Sequence, residues 1–345
     1  MRSVPLVAPR QLELIEAPMP NGPGRGEVLV KLVATGLCGS DLHWWAEGRI
    51  HSGLAKYPQV LGHEPVGEIV ELGAGVHGLK TGDRVSIEPS LTCGHCEFCI
   101  AGRHNLCVRS RFMGGPDAEG FLRDFAVVPA HNADPIPDSL SWHEATLMEP
   151  VAVWVHVFEL QPLRMGETVA IMGCGSIGLL GIAMAKAAGA EIVLACDRVP
   201  HRLELAKTMG ADVALDINQD DFLDAVMQKT RGRGVDSVFD AAGAPQTINL
   251  GLKCARAGGR FVLIGIPEPL NFEVDLHTAM AKELNIQTMK RSNHKGMAAA
   301  ALLQTGRIPT ALITHTLPLG QAQQGFELLH SYSGGVGKLI FDHTL

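Results

Sequence analysis

The sequence predicts an α/β chain of two domains, one a doubly wound parallel sheet with helices on both faces, the other mostly β. Three observations carry this. After Glu149-Pro150 strand-like and helix-like stretches alternate, a pattern that demands parallel strands joined by helical crossovers. Before that point short apolar runs lie between glycine and proline turns, and helical periodicity is scarce. At 345 residues the chain also exceeds what one ordinary core serves. The expected division is residues 1–152, then a doubly wound domain over 153–289, then 290–345 returning to the first domain.

In the first part Glu27–Ala34 and Val66–Leu72 read as strands, and Thr81-Gly-Asp83 is a turn feeding another. The second part offers six strands: Thr168–Met172, Ile192–Cys196, Val213–Leu215, Asp236–Asp240, Arg260–Gly265 and Asn285–Met289. Helices Ser176–Ala188, Pro200–Met209, Phe222–Lys229 and Gln246–Ala255 separate the first five. Pro200 suits a first helical turn, and Gly189 and Gly210 suit helix ends. The tail, Leu317 to Leu329 and then Lys338-Leu-Ile-Phe, reads as mixed short elements packing back on the first domain.

Composition narrows the function. A net charge of −7, with no basic run longer than two residues, argues against nucleic acid. No segment approaches eighteen apolar residues, and the stretch from Leu179 to Ala185 reads as a buried helix, so no membrane role is expected. The start, Met1-Arg-Ser-Val-Pro, lacks a leader's apolar stretch; eight cysteines then point to a reducing compartment and a cytoplasmic address.

Gly173-Cys-Gly175-Ser176-Ile177-Gly178 follows a strand and opens a helix, the context in which G-x-G-x-x-G binds a dinucleotide. Gly173 permits the turn, Gly175 bares the backbone to pyrophosphate, and Gly178 lets helix and strand pack closely. Asp197 ends the next strand, nineteen residues past Gly178, where a carboxylate accepts ribose hydroxyls and repels a 2′-phosphate. NAD is therefore expected rather than NADP, although Arg198 and Arg202 lie close in sequence and either can pair with a phosphate or stack on adenine.

Cys93, Cys96, Cys99 and Cys107 fall within fifteen residues, three of them at a three-residue step. That spacing suits a closed tetrahedral structural zinc site. The compartment argues against disulfides and the acidic balance against a nucleic-acid-binding ribbon. A second constellation is Cys38-Gly-Ser40-Asp41-Leu-His43, then Gly62-His63-Glu64, then Glu149-Pro150. A catalytic zinc needs about three protein ligands and an open position. Cys38 and His63 supply two, and either Glu64 or Glu149 the third. Taken singly, Cys38 reads as a small buried hydrophobe and His63 as a core histidine; only the combination favours metal.

With these motifs together the chain resembles the zinc-dependent medium-chain alcohol dehydrogenases over nearly its whole length. Gly36-Leu-Cys38-Gly-Ser40-Asp41-Leu-His43, Leu61-Gly-His63-Glu64-Pro-Val-Gly67, the four-cysteine lobe and the glycine motif carry the likeness. Within the family it is similar to the polyol branch of sorbitol, xylitol and iditol dehydrogenases, with L-idonate 5-dehydrogenase nearby. Met148-Glu149-Pro150 stands where ordinary alcohol dehydrogenases carry a cysteine ligand.

The resemblance implies a Rossmann domain beside a mostly-β GroES-like catalytic domain, and two zinc ions per chain. It implies that Cys38, His63 and Glu64 hold catalytic zinc, with Glu149 touching it directly or through water, and that Asp41 orients His63. Ser40 bonds the substrate hydroxyl and His43 relays its proton. Trp44, Glu149, Arg291 and Ser292 line the substrate; Trp44 and Ser292 stand where tyrosines are common. Ser176, Ile177, Asp197, Arg202, Ile264-Gly265-Ile266, Met289, Lys290 and Arg291 join the glycines in holding the cofactor. The implied reaction is NAD-dependent oxidation of a secondary alcohol of a polyol, with a sugar acid as the alternative substrate, in a homotetramer. Competing classes fit less well. A binding protein on this scaffold would have lost Cys38 or His63, and a quinone reductase would lack both cysteine-containing sets.

Overall fold

The computed structural model describes residues 1–50, 53–267 and 269–345. Backbone proximity divides the chain into two units, the first comprising 1–153, 292–305 and 313–345, the second 154–291 and 306–312. Of residues 290–345, all expected with the first domain, 290–291 and 306–312 group with the second unit.

The first unit is built on a seven-stranded sheet. Its order is Ala133–Pro135, Arg84–Ile87, Glu64–Leu72, Glu27–Gly36, Lys338–Asp342 and Ile313–Pro318, with Phe125–Pro129 also paired to Glu27–Gly36. Along Glu27–Gly36 the alternate residues Val28, Val30 and Leu32 are buried, and they pack with Ile69, Val85, Ile87, Phe121 and Val128. Lys31 between them is exposed and Val33 half-buried, whereas Leu29 and Thr35 are buried too. The late strand Lys338–Asp342 is internal to the sheet, with Ile340 opposite Gly36; Gly36 also lies opposite Glu64. A second core gathers Leu37, Trp44, Trp45, Leu61, Phe326 and Phe341.

Helix Gly39–Glu47 ends at Gly48, whose left-handed φ of 64° lets its N–H reach the Trp44 carbonyl at 3.1 Å. Sequence periodicity missed this helix because it buries only Asp41, Trp44 and Trp45. It also missed Gly296–Gln304 and Ala322–His330 in the tail.

The second unit holds six parallel strands in the order Val213–Asp216, Ile192–Asp197, Thr168–Met172, Val235–Asp240, Ala255–Leu263, Asn285–Thr288. All six expected strands are present, and so are helices Ser176–Ala187, Pro200–Thr208, Phe222–Lys229 and Pro245–Cys254. A further helix, Leu276–Ala281, precedes the last strand, opened by Asp275 accepting the Thr278 amide at 3.0 Å. Trp154 is fully buried, edge-on to Phe239 with centroids 5.3 Å apart, and its Nε1 donates to the Ile177 carbonyl at 2.8 Å. Gly181 makes this possible, because a Cβ there would collide with the indole. Among the described residues no helix is long and apolar enough to cross a membrane.

Candidate active site

Strand Glu27–Gly36 runs out at Leu37, and Cys38 follows in extended conformation as the N-cap of helix Gly39–Glu47. Asp41 sits in the helix's first turn and is wholly buried. One carboxylate oxygen accepts the Cys38 N–H at 3.1 Å; the other accepts the Gly62 N–H at 3.1 Å and faces His63 Nδ1 at 3.2 Å. A single carboxylate thus fixes both chain segments. It also favours the proton on Nδ1, leaving the Nε2 lone pair free to bind a cation. Ser40 Oγ lies 3.4 Å from His63 Nε2 and 3.4 Å from Cys38 Sγ.

One donor atom each of Cys38, His63 and Glu64 lies within 4.8 Å of the others. The set asks for a cation. Burial alone would lower the His63 pKa, yet Asp41 and Cys38 raise it well above the ordinary value. A soft thiolate, an imidazole and a carboxylate suit zinc. Glu149, in the first turn of helix Met148–Leu160, stands outside this set. Burial pushes its carboxyl up to about 8; His63 opposes that, while Glu64 and Glu88 add to it.

Sequence reasoning missed Lys338. Its side chain is fully buried, ion-pairs with Glu64, and donates to the Leu37 carbonyl at 3.1 Å. Burial would lower its pKa, but Glu64 and then Cys38 raise it, so it stays charged. A lone buried ammonium would cost several kcal/mol; here it offsets negative charge behind the donor set. Gly36 leaves the room, since a Cβ there would strike Glu64 and come within 3.1 Å of Lys338 Cε. The available signal was a lysine opening the otherwise apolar run Lys338-Leu-Ile-Phe.

The remaining candidates are placed as follows. His43 Nδ1 is 3.2 Å from Glu47 Oε1 on the same helix. Trp44 is 8% exposed and packs into the second core. Arg291 has a positive φ of 55°. Ser292, 2% exposed, donates to Glu88 Oε2 at 2.8 Å, so its hydroxyl already has a protein partner. Glu88 is buried as well, and its other oxygen accepts the Ser90 N–H at 3.0 Å. It too went unnoticed in the sequence.

The four sulfurs of Cys93, Cys96, Cys99 and Cys107 lie within 4.8 Å of one another. Cys96 and Cys99 are 3.5 Å apart and Cys93 and Cys99 4.0 Å. A tetrahedron with Zn–S near 2.3 Å needs sulfurs about 3.8 Å apart, so the cradle fits. Backbone amides are aimed at it: Cys93 N–H and Arg109 N–H reach Cys107 Sγ at 3.3 and 3.4 Å. Amides of Cys99 and Val108 hold the Cys96 thiol down to about 6, whereas burial pushes Cys99 up to about 11.

In the second unit, Gly173 has φ 91° and a Cβ there would meet Ala242 at 2.8 Å. A Cβ on Gly178 would collide with the Gly173 carbonyl, whereas one on Gly175 would meet nothing nearer than 4.0 Å. Ser176 and Ile177 form the first helical turn behind it. Asp197 accepts the Cys174 N–H at 2.6 Å and the Val199 N–H at 2.8 Å, tying the glycine loop to the neighbouring strand end. A carboxylate has about four acceptor sites, so capacity for ribose hydroxyls remains. The Arg202 guanidinium lies about 4.0 Å from where a Gly175 Cβ would stand. Ile264 and Gly265 donate their N–H groups to the Asp240 carbonyl at 2.8 and 2.9 Å, and Gly265 packs too tightly on Gly243 to bear a side chain. Met289, Lys290 and Arg291 follow the last strand.

A dinucleotide cradle, a four-thiolate lobe and a mixed-donor metal set define a metal-dependent oxidoreductase. Family models agree: residues 24–138 match the alcohol dehydrogenase GroES-like domain and 176–305 the zinc-binding dehydrogenase domain. Sorbitol dehydrogenase of Bacillus subtilis is 37% identical over 92% of this chain and 90% of its own. L-Threonine 3-dehydrogenase of Pyrococcus abyssi is 38% identical over 95% of this chain and 94% of its own. An alcohol dehydrogenase of Escherichia coli CFT073 solved with NADH superposes with a TM-score of 0.91 at 32% identity, covering 99% of both chains. The chain belongs to the zinc-dependent medium-chain alcohol dehydrogenase family and is an enzyme of that class.

Proposed function

We propose that this enzyme oxidises a secondary alcohol of a polyol to the corresponding ketone, with NAD as hydride acceptor. The observation that carries the reading is the convergence of Cys38, His63 and Glu64 on one point, with Asp41 orienting the imidazole and Lys338 compensating the carboxylate. When bound there, zinc supplies the Lewis acidity that makes a substrate hydroxyl acidic enough to lose its proton, and the dinucleotide accepts the hydride.

The chain's own residues do the rest. Ser40, beside the Cys38 and His63 donor atoms, hydrogen-bonds the substrate hydroxyl and releases its own proton as it takes that one, and His43 relays the proton outward, with Glu47 3.2 Å from the His43 ring. Glu149 offers a half-buried polar partner for the further hydroxyls of the substrate, and Arg291 a second. An apolar alcohol would leave such groups unpaired at a cost in affinity. The four-cysteine lobe binds a structural zinc. Asp197 reads the ribose hydroxyls of NAD and disfavours a 2′-phosphate.

A second reading is a hydroxy acid as substrate, such as a sugar acid, its carboxylate paired with Arg291. The likeness to L-threonine 3-dehydrogenase favours it, since threonine carries a carboxylate beside a secondary alcohol. One panel tests both: sorbitol, xylitol, L-idonate, L-threonine and propan-2-ol, each with NAD and with NADP, following absorbance of the reduced cofactor. Polyols with NAD are expected to give the highest kcat/KM. Preference for the carboxylates moves the assignment to the second reading; equal turnover of propan-2-ol overturns both.

A further inference from the structure

The segment just after Arg291 is held unusually firmly. Arg291 and His294 both take positive φ, 55° and 52°, a conformation that side-chain-bearing residues adopt only where their surroundings impose it. Three consecutive residues supply that constraint. Ser292 Oγ donates to the buried Glu88 at 2.8 Å. Asn293 Oδ1 accepts the His104 N–H at 2.9 Å and the Asn105 N–H at 3.4 Å, while its Nδ2 donates to the Gly102 carbonyl at 2.8 Å. The His294 ring meets the His104 ring edge-on at 4.8 Å. Residues 102, 104 and 105 all lie between Cys99 and Cys107, in the loop that closes the four-thiolate cradle. The loop runs between the last two thiols of the cradle, and Asn293 uses both ends of its amide to grip it.

We propose that Asn293 is a positioning residue through which the four-cysteine lobe sets the backbone of the substrate-binding Arg291, so that zinc in the lobe tunes polyol affinity as well as stability. The inference rests on the reading of Arg291 as a substrate group. If the grip is lost, the strained turn relaxes and Arg291 no longer meets the outer hydroxyls. The reacting hydroxyl, which the Cys38, His63 and Glu64 set would receive, is unaffected.

The test is steady-state kinetics on the two-zinc enzyme, with the best polyol of the panel and with propan-2-ol. Asn293→Ala is expected to raise polyol KM about tenfold, with kcat within about twofold and kcat/KM for propan-2-ol unchanged. Arg291→Ala should raise polyol KM at least as much, and the double variant should be no worse than Arg291→Ala alone. Asn293→Asp keeps the acceptor for His104 and Asn105 but loses the donor to Gly102, so it should fall between wild type and Asn293→Ala; it also serves if Asn293→Ala does not fold. Cys99→Ser protein that remains folded should share the raised polyol KM. An unmoved polyol KM in Asn293→Ala or in Cys99→Ser, while Arg291→Ala raises it, overturns the inference alone, as does an equal loss on both substrates. If Arg291→Ala itself leaves polyol KM unchanged, the reading of Arg291 has failed and the inference falls with it.

Discussion

The two candidate zinc centres are built on opposite plans. The lobe draws four identical donors from one short stretch and polarises them with nearby amides, such as those reaching Cys107 from Cys93 and Arg109. The Cys38, His63 and Glu64 set draws three unlike donors from two segments, and its supporting charges lie at Asp41 and at Lys338, far along the chain. The local centre has only the ion it binds and its backbone amides to offset the thiolate charge. The dispersed one carries its own buried counter-charge, so the protein rather than the metal sets much of its electrostatics. That difference suits a site meant to be closed and a site meant to react.

The comparison is broken most severely at Cys38. Cys38→Ser removes the thiolate from the mixed set, and turnover should fall by about 10⁴-fold or more, because the substrate hydroxyl is no longer acidified. NAD binding, measured by titration of the cofactor's fluorescence, should stay within about twofold; its loss would show that the cofactor and metal functions are not separable by residue. Lys338→Met comes next. It leaves Glu64 buried without its cation, and thermal unfolding of the metal-stripped protein should show about 3–5 kcal/mol of destabilisation. Glu64→Gln added to Lys338→Met should recover much of that, and a purely steric role for Lys338 predicts no such recovery.

At the lobe the expectation reverses. Cys99→Ser should release one zinc and lower stability by about 2–4 kcal/mol, while kcat of the folded fraction is kept. A fall in kcat matching that of Cys38→Ser would erase the distinction between the centres. The smallest effect is expected in the second unit. Asp197→Ala should shift the NAD-to-NADP preference about tenfold toward NADP, read as a ratio of kcat/KM values. An unchanged ratio would mean that Asp197 serves only the amides of Cys174 and Val199.

What could be read from the sequence follows the same division. The lobe and the glycine loop are short-range patterns whose spacing carries their geometry, and in the parallel sheet Thr168–Met172, Ile192–Asp197 and Val235–Asp240 are buried runs, whereas the exposed edge strand Asn285–Thr288 was legible only from the alternation of strand and helix. Cys38 and His63 were visible as residues, but the hydrogen bonds through Asp41 that bring them together depend on a helix that periodicity did not mark. Lys338, Glu88 and Asn293 were harder to read for a different reason. Each acts through a partner far away in the chain, and a lone lysine, glutamate or asparagine has no spacing to betray it.

Lys338 rides on a strand seated inside the sheet, opposite Gly36, and not at its rim. During synthesis on the ribosome, then, the pocket waits for a strand that emerges long after Cys38, His63 and Glu64. Until it arrives, the nascent polypeptide has a gap in its main sheet and a glutamate with no cation beside it, so a truncated product should misfold rather than survive as a partly working catalyst.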